Sequence, residues 1–346
     1  MKEYKIIIWG LGNVGRYVTK MISQAQSLKL VAVVDTDPTK VGKDVGEIFG
    51  FEKIGIEVSD DIDAALKMEA DIVLDYLPNM RDQGNSRPTG YTPNVENICR
   101  ALKAKKNVLT TLPMYHLHKV APKLYDMIQS CAIENGVTFT QQGIFPGLFN
   151  PYLPLVFSSM TGGLKKIIVN GGQDDAFNTS PWVKVFGYGL EPKDFNGQFL
   201  QEIITSYYGS TAKVIADYAG IEYNEYRESH EIYTADTALN PPCGQVMPGT
   251  ISAHKFSMQC LKDGEEVTAF HFIHKVCDDI QKTPAMSDSY HIEGDIVLDI
   301  AIKGMIPENE PYASSGAPGV NLIPQVVEAT PGIMDAINLP ASKPVL

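Results

Sequence analysis

The chain has 346 residues, 44% of them hydrophobic, with 41 acidic residues against 29 Lys and Arg and a formal net charge of −12. That apolar content is enough for a well-buried core, and the length points to two domains. An acidic balance without any block of Lys or Arg argues against a nucleic-acid binder, which needs a basic face. No stretch reaches the roughly eighteen uncharged apolar residues of a membrane span. The opening "MKEYKIII" carries an apolar run only a strand long and lacks signal-peptide architecture, so the expected location is the cytoplasm, with no membrane partner. The five cysteines (Cys99, Cys131, Cys243, Cys260, Cys277) show no CxxC or CxH spacing, which fits reduced, mostly buried thiols and no metal site.

Strands are expected at Tyr4–Trp9, Leu30–Asp35, Asp71–Leu77, Asn107–Thr111 and Val137–Gln141, and helices between them at Val14–Ala25, Ile62–Lys67, Asn94–Ala104 and Ala121–Glu134. Such alternation predicts an α/β fold, a parallel sheet with helices on both faces. "DQGNSRPTGYTP" (82–93) is a polar loop after the third strand, where an open sheet exposes its ligand crevice. Past residue 150 the texture changes. "KKIIVNGG", "ISAHKFSMQCL", "EEVTAFHFIHKV" and "HIEGDIVLDIAIKG" read as long strands of a mixed sheet, with a helix over Gly197–Ala219. "NLIPQVVEATPGIMDAINLP" (321–340) returns to a helical period before a Pro/Gly stop.

The most informative stretch is "IIIWGLGNVGRYV" (6–18), an apolar strand breaking into Gly-x-Gly-x-x-Gly at the start of a helix. In that context Gly10 makes the tight turn, Gly12 lets backbone approach a pyrophosphate, and Gly15 lets helix pack on strand. The N–H groups at the helix start, around Asn13 and Val14, then hold phosphates at the positive end of the helix dipole. Asp35 closes the second strand, where a carboxylate accepts from ribose hydroxyls. It would repel a 2′-phosphate, which favours NAD over NADP, although Thr36, Lys40 and Lys43 follow closely and soften that repulsion.

With these residues in view, the chain resembles the 2,4-diaminopentanoate dehydrogenases and the native amine dehydrogenases related to them, which share the dihydrodipicolinate-reductase-type Rossmann domain. Matching stretches are "IIIWGLGNVGRYV" (6–18), "VVDTDPTKVGKDVGEIFG" (33–50), "ADIVLDYLP" (70–78), "KNVLTT" (106–111), "GIFPGLFNPYLPLV" (143–156), "YHIEGDIVLDI" (290–300) and "NLIPQVVEATPGIMDAINLP" (321–340). The resemblance implies a Rossmann domain over 1–145 with 315–346 packing back on it, and a mixed-sheet α+β domain for substrate and dimerisation over 146–314. It also implies a homodimer with an interdomain active site, and reversible NAD(P)-dependent deamination of a small amine to a ketone and ammonia. Further cofactor contacts are implied at Leu77, Pro78, Thr111 and Gly147, with the Gly147 turn beside the nicotinamide.

The chain departs from that family at one place. The family's acidic residue, usually Glu, follows the strand that reads "NVLTT" here, yet the sequence continues "LPMYHLHKVAP" and has no carboxylate until Asp126. Amine–imine interconversion needs a charge partner and a proton shuttle, and general acid–base help is worth roughly 10²–10⁴-fold. Tyr115, His116 and His118 are candidates to supply protons, or else Tyr115 packs and the histidines are solvated. Asp174 and Asp175 either take the missing acid's role or cap a strand end in solvent. Gln173, Phe145, Phe149 and Trp182 are candidate substrate-pocket residues, and the aromatic ones fit a core equally well. His271 and His274 stand three apart on an expected strand, hence on opposite faces, which disfavours a metal site.

Three alternatives therefore stand beside amine dehydrogenation. One is a carbonyl or enone reductase with Tyr115 or a histidine as proton donor. The others are an enzyme that retains NAD for isomerisation or elimination, and a non-catalytic dinucleotide-binding protein.

Overall fold

A computed structural model describes residues 2–79, 91–178, 182–277, 282–306, 310–335, 337–339, 342 and 344–345. The chain divides into two compact units, Met1–Phe149 with Asn309–Leu346, and Asn150–Glu308. Most of the polar loop at 82–93 lies outside the described residues.

The first unit contains β1 (Tyr4–Trp9), α1 (Asn13–Gln24), β2 (Leu28–Val34), α2 (Val45–Ile48), β3 (Val58–Ser59), α3 (Ile62–Lys67) and β4 (Ile72–Asp75). It continues through α4 (Thr92–Lys103), β5 (Asn107–Thr110), α5 (Leu117–Val120), α6 (Pro122–Asn135) and β6 (Thr138–Gln141). The seven-stranded sheet has the order β13-β6-β5-β4-β1-β2-β3, where β13 is Gly332–Ile333. Every strand pair in it is parallel. Helices on both faces require strands that are apolar throughout, and Ile6, Ile7 and Ile8 are all wholly buried. The strand order reverses between β1 and β4, so the crevice of this Rossmann sheet opens there, beyond the strand C-termini.

The expected strands and helices of this unit lie within two or three residues of those observed. The C-terminal helix returns to this unit as expected, and a two-residue strand that the sequence does not signal follows it. The helix, α11 (Ala313–Glu328), packs on α1 because Gly316 brings the backbones together: a Cβ there would stand 2.8 Å from Val18. At the Pro331-Gly332 stop the chain adds β13 to the sheet edge beside β6.

The second unit contains α7 (Tyr152–Ser158), β7 (Lys166–Asp174), α8 (Trp182–Phe186), α9 (Gly197–Tyr208), α10 (Thr211–Ala219), β8 (Glu225–Thr234), β9 (Ile251–Lys262), β10 (Glu265–Lys275), β11 (Asp288–Glu293) and β12 (Val297–Ile302). Its mixed sheet runs β12-β11-β7-β10-β9-β8, with β10 and β7 parallel. Two expected elements are divided. "HIEGDIVLDIAIKG" is a hairpin turning at Gly294 rather than one strand, and the helix over Gly197–Ala219 breaks at Gly209, whose carbonyl accepts from the Tyr226 hydroxyl (2.6 Å). β8 is not evident in the sequence, because its residues are half-exposed and its alternation is mostly polar.

Candidate functional site: the strand ends of the Rossmann sheet

The glycine loop joins β1 to α1 at the point where the strand order reverses. Gly10 has φ +99, and a Cβ on it would lie 2.6 Å from the Tyr76 carbonyl oxygen, because the chain leaving β4 passes against the turn. A Cβ on Gly15 would lie 2.8 Å from the Gly10 oxygen, so helix and loop close on each other. Gly12 differs: nothing stands within 4 Å of where its Cβ would be. Gly12 also N-caps α1 without a side-chain hydrogen bond, and the first turn holds no acid that would compete with an anion. An open glycine ahead of an uncapped helix N-terminus fits a pyrophosphate, and Asn13 and Val14 lie in that first turn.

Asp35 follows β2 and braces the loop. Its Oδ2 accepts from the Leu11 N–H (2.7 Å) and its Oδ1 from the Asp37 N–H (2.8 Å). Lys40 Nζ stands 3.3 Å from the same carboxylate. Thr36 comes next in the chain, Leu77 and Pro78 follow β4, and Thr111 follows β5. Gly147 lies in the turn after β6, with the Phe145 and Phe149 rings tilted against each other at 4.8 Å between centres. Only glycine fits at position 147, where a Cβ would sit 2.1 Å from the Gly143 oxygen. The predicted cofactor residues thus gather along the C-terminal ends of β6, β5, β4, β1 and β2, which are neighbours in the sheet.

Two acids here are not evident in the sequence. Asp75 ends β4 and is 2% exposed, with Oδ1 accepting from the Leu77 N–H (3.1 Å). Burial raises its carboxyl to about 7, offset in part by Leu77 and Thr110. Asp335 follows β13 and lines a cavity of about 30 Å³ together with Tyr115, His116, His118, Tyr125 and Gln141. The Tyr115–His118 stretch therefore has a carboxylate beside it, supplied from the other end of the chain. Sequence distance hides this, because β13 is too short to give a strand signal.

Neither packing nor solvation alone describes the "YHLH" residues. Tyr115 is 3% exposed and His116 is 8% exposed, in a left-handed conformation (φ 61) at the start of α5. His118 meets His116 edge-on at 4.8 Å. Burial first, and then the Asp335 charge, push the Tyr115 hydroxyl well above its ordinary value, so it is held as O–H.

In the second unit the expected acids part company. Asp174 is exposed and its Oδ1 closes a turn to the Ala176 N–H (2.9 Å). Asp175 is wholly buried, so it neither caps a strand end in solvent nor offers an open carboxylate. It accepts from His274 Nδ1 (2.9 Å), the Tyr188 hydroxyl (2.8 Å) and Asn178 Nδ2 (2.8 Å). His274 sits on the face of β10 shared with Phe270 and Phe272, while His271 points to the other face, where its Nδ1 meets Ser257 Oγ (2.8 Å). Among the described residues no group of three His, Cys, Asp or Glu is placed to hold a metal ion. Gln173 lies beside His274 in the sheet register. Trp182 is the first residue of α8, and its side chain lies outside the described residues.

Residues 4–81 match the family described as dihydrodipicolinate reductase, N-terminus, and residues 158–346 match the 2,4-diaminopentanoate dehydrogenase C-terminal domain. The chain belongs to the family defined by that C-terminal domain. It is 28% identical to an amine dehydrogenase of Streptomyces virginiae, over 96% of this chain and 95% of that one. It is 24% identical to the 2,4-diaminopentanoate dehydrogenase of Acetoanaerobium sticklandii, over 100% and 96% of the two chains. The solved amine dehydrogenase of Mycobacterium smegmatis shares its fold with a TM-score of 0.72, at 19% identity over 99% of this chain and 97% of that one. The chain is an NAD(P)-dependent oxidoreductase with a nicotinamide dinucleotide as cofactor. No helix among the described residues is long and apolar enough to cross a membrane.

Proposed function

We propose that the protein catalyses the reversible oxidative deamination of a small amine to a ketone, with NAD as the preferred cofactor, and works as a homodimer. The observation that carries this reading is the near end-to-end similarity to the amine dehydrogenase of Streptomyces virginiae. In the reductive direction ketone, ammonium, NADH and one proton give the protonated amine, NAD⁺ and water. Gly10, Gly12, Asn13, Val14 and Gly15 would hold the pyrophosphate and Asp35 a ribose hydroxyl, with Leu77, Pro78, Thr111 and Gly147 towards the nicotinamide. The bound nicotinamide supplies the hydride chemistry. The chain supplies the apolar surface of Phe145 and Phe149 for substrate carbon. His116 and Tyr115 are assigned to proton handling near the Asp335 carboxylate, in place of the family's acid.

The test is cofactor absorbance with a panel of small amines and diamines and NAD⁺ or NADP⁺, and with ketones and NAD(P)H in the presence and absence of ammonium. Ammonium-dependent oxidation of NADH is expected. Ketone reduction that ignores ammonium would replace this reading with a carbonyl reductase, and turnover without net cofactor change would replace it with an isomerase or lyase.

The preference for NAD is supported by Asp35, whose charge opposes a 2′-phosphate. Asp35→Ala removes the brace on Leu11 for both cofactors but relieves repulsion for only one, and it frees Lys40. The ratio of NADH to NADPH affinity is expected to fall roughly tenfold, about 1.4 kcal/mol. Equal losses for the two cofactors in a fluorescence titration would sink the ribose assignment.

A further inference from the structure

The side chains around the glycine loop come from both ends of the chain. α11 packs on α1, and the residues just before it, 310–312, reach the first two turns of α1. Glu310 accepts from Arg16 Nη1 (3.1 Å) and stands 3.8 Å from Lys20 Nζ. Arg16 also lies over the Phe51 ring, its guanidinium carbon 5.6 Å from the ring centre. The cation that follows the third glycine is thereby committed to Glu310 and Phe51, although guanidinium groups pair readily with phosphate.

Tyr312 is placed differently. Its hydroxyl oxygen accepts from Asn13 Nδ2 at 2.7 Å. Asn13 is the first residue of α1, directly after Gly12, and both are exposed. A tyrosine hydroxyl has one proton to give as well as lone pairs to offer. Asn13 uses a lone pair, and among the described residues no acceptor takes the proton. Burial raises the hydroxyl above its ordinary value, against the effect of the Asn13 hydrogen bond, so the proton stays in place at neutral pH. The first N–H groups of α1 have no partner within the helix, and its first turn carries no acid. An O–H donor, open backbone N–H groups and the positive end of a helix dipole thus meet beside Gly12, where an anion satisfies all three.

We propose that Tyr312 is a phosphate ligand of the dinucleotide site, its hydroxyl steadied by the Asn13 amide and its proton donated to a pyrophosphate oxygen. The proposal rests on the glycine loop holding the cofactor, and it adds a residue from the far end of the chain to that site. Asn13 then has two tasks: its backbone N–H serves the phosphate, and its side chain positions Tyr312. Glu310 holds the same segment against α1 through Arg16. Cofactor affinity therefore depends on the docking of 310–312 as well as on the loop.

The test measures binding, by fluorescence titration of NADH and calorimetric titration of ADP-ribose and adenosine. Tyr312→Phe keeps the ring and removes the hydroxyl. It is expected to weaken NADH and ADP-ribose, which carry the pyrophosphate, roughly tenfold, and to leave adenosine, which lacks it, within about twofold. Asn13→Ala is expected to weaken NADH in the wild type and to add nothing in the Tyr312→Phe background, since its side chain acts through that hydroxyl. Gly12→Ala keeps the two assignments apart. A Cβ at position 12 meets nothing within 4 Å and φ there is −84, so the fold accommodates alanine while the close approach of a phosphate does not. NADH binding lost in Gly12→Ala but unchanged in Tyr312→Phe overturns the role of Tyr312 and leaves the loop assignment standing. Unchanged NADH binding in Gly12→Ala overturns both. Equal losses of NADH and adenosine in Tyr312→Phe, or losses that add in the double variant, also overturn the proposal.

Discussion

Asp175→Ala is expected to destabilise the second unit by at least about 3 kcal/mol, since it leaves three buried donors unsatisfied at about 1–3 kcal/mol each. Three donors converge on this carboxylate in a place that water does not reach, namely His274 Nδ1, the Tyr188 hydroxyl and Asn178 Nδ2. Truncation leaves all three facing a void. Burial alone would raise the Asp175 carboxyl. The charge of His274 and the hydrogen bonds from His274, Asn178 and Tyr188 outweigh it and hold the group below its ordinary 3.8. The sign follows. The stabilisation is complete above pH 3.8 and fades as pH falls through the depressed value, so at neutral pH the variant shows the full loss. Calorimetry should find the unfolding midpoint lower by roughly 10 °C for a unit of this size. An unchanged midpoint with lost turnover would return Asp175 to the catalytic role considered for it from sequence.

Asp75→Asn is expected to act in the opposite direction. The folded chain holds a proton on this buried carboxyl up to about pH 7, whereas the unfolded chain releases it near 3.8. Between those values the native state binds more protons than the unfolded one, so stability falls as pH rises, by about 1.4 kcal/mol per unit. The amide keeps an acceptor for the Leu77 N–H and never ionises. Wild type and variant should therefore be equally stable near pH 4, and the variant should be ahead by up to about 4 kcal/mol at pH 8. Parallel urea titrations across that range check it. Parallel slopes for the two proteins would mean that Asp75 is ionised throughout.

How much of this molecule is legible in its sequence depends on the distance over which each signal acts. The Rossmann unit is legible because each cue is local: a fully apolar strand, a glycine loop and an amphipathic helix occupy neighbouring residues. The tight surroundings of Gly10 and Gly15 and the open space at Gly12 are ones that the spacing of the three glycines already suggests. The pairing of β13 with β6 is not legible, since a two-residue strand carries no period, and with it the arrival of Asp335 beside Tyr115 stays hidden.

The two adjacent acids make the same point at closer range. Asp174 and Asp175 are indistinguishable as letters, yet one is exposed in a turn and the other is wholly buried against His274, because successive residues of an extended chain face opposite ways. By itself the sequence determined the parallel sheet, the glycine loop between strand and helix, and the family. Only the tertiary structure decided which carboxylates are buried, which donors close on them, and which distant residue comes to lie beside Tyr115. Burial and charge pairing are properties of contacts between segments far apart in the chain, and no local pattern records them.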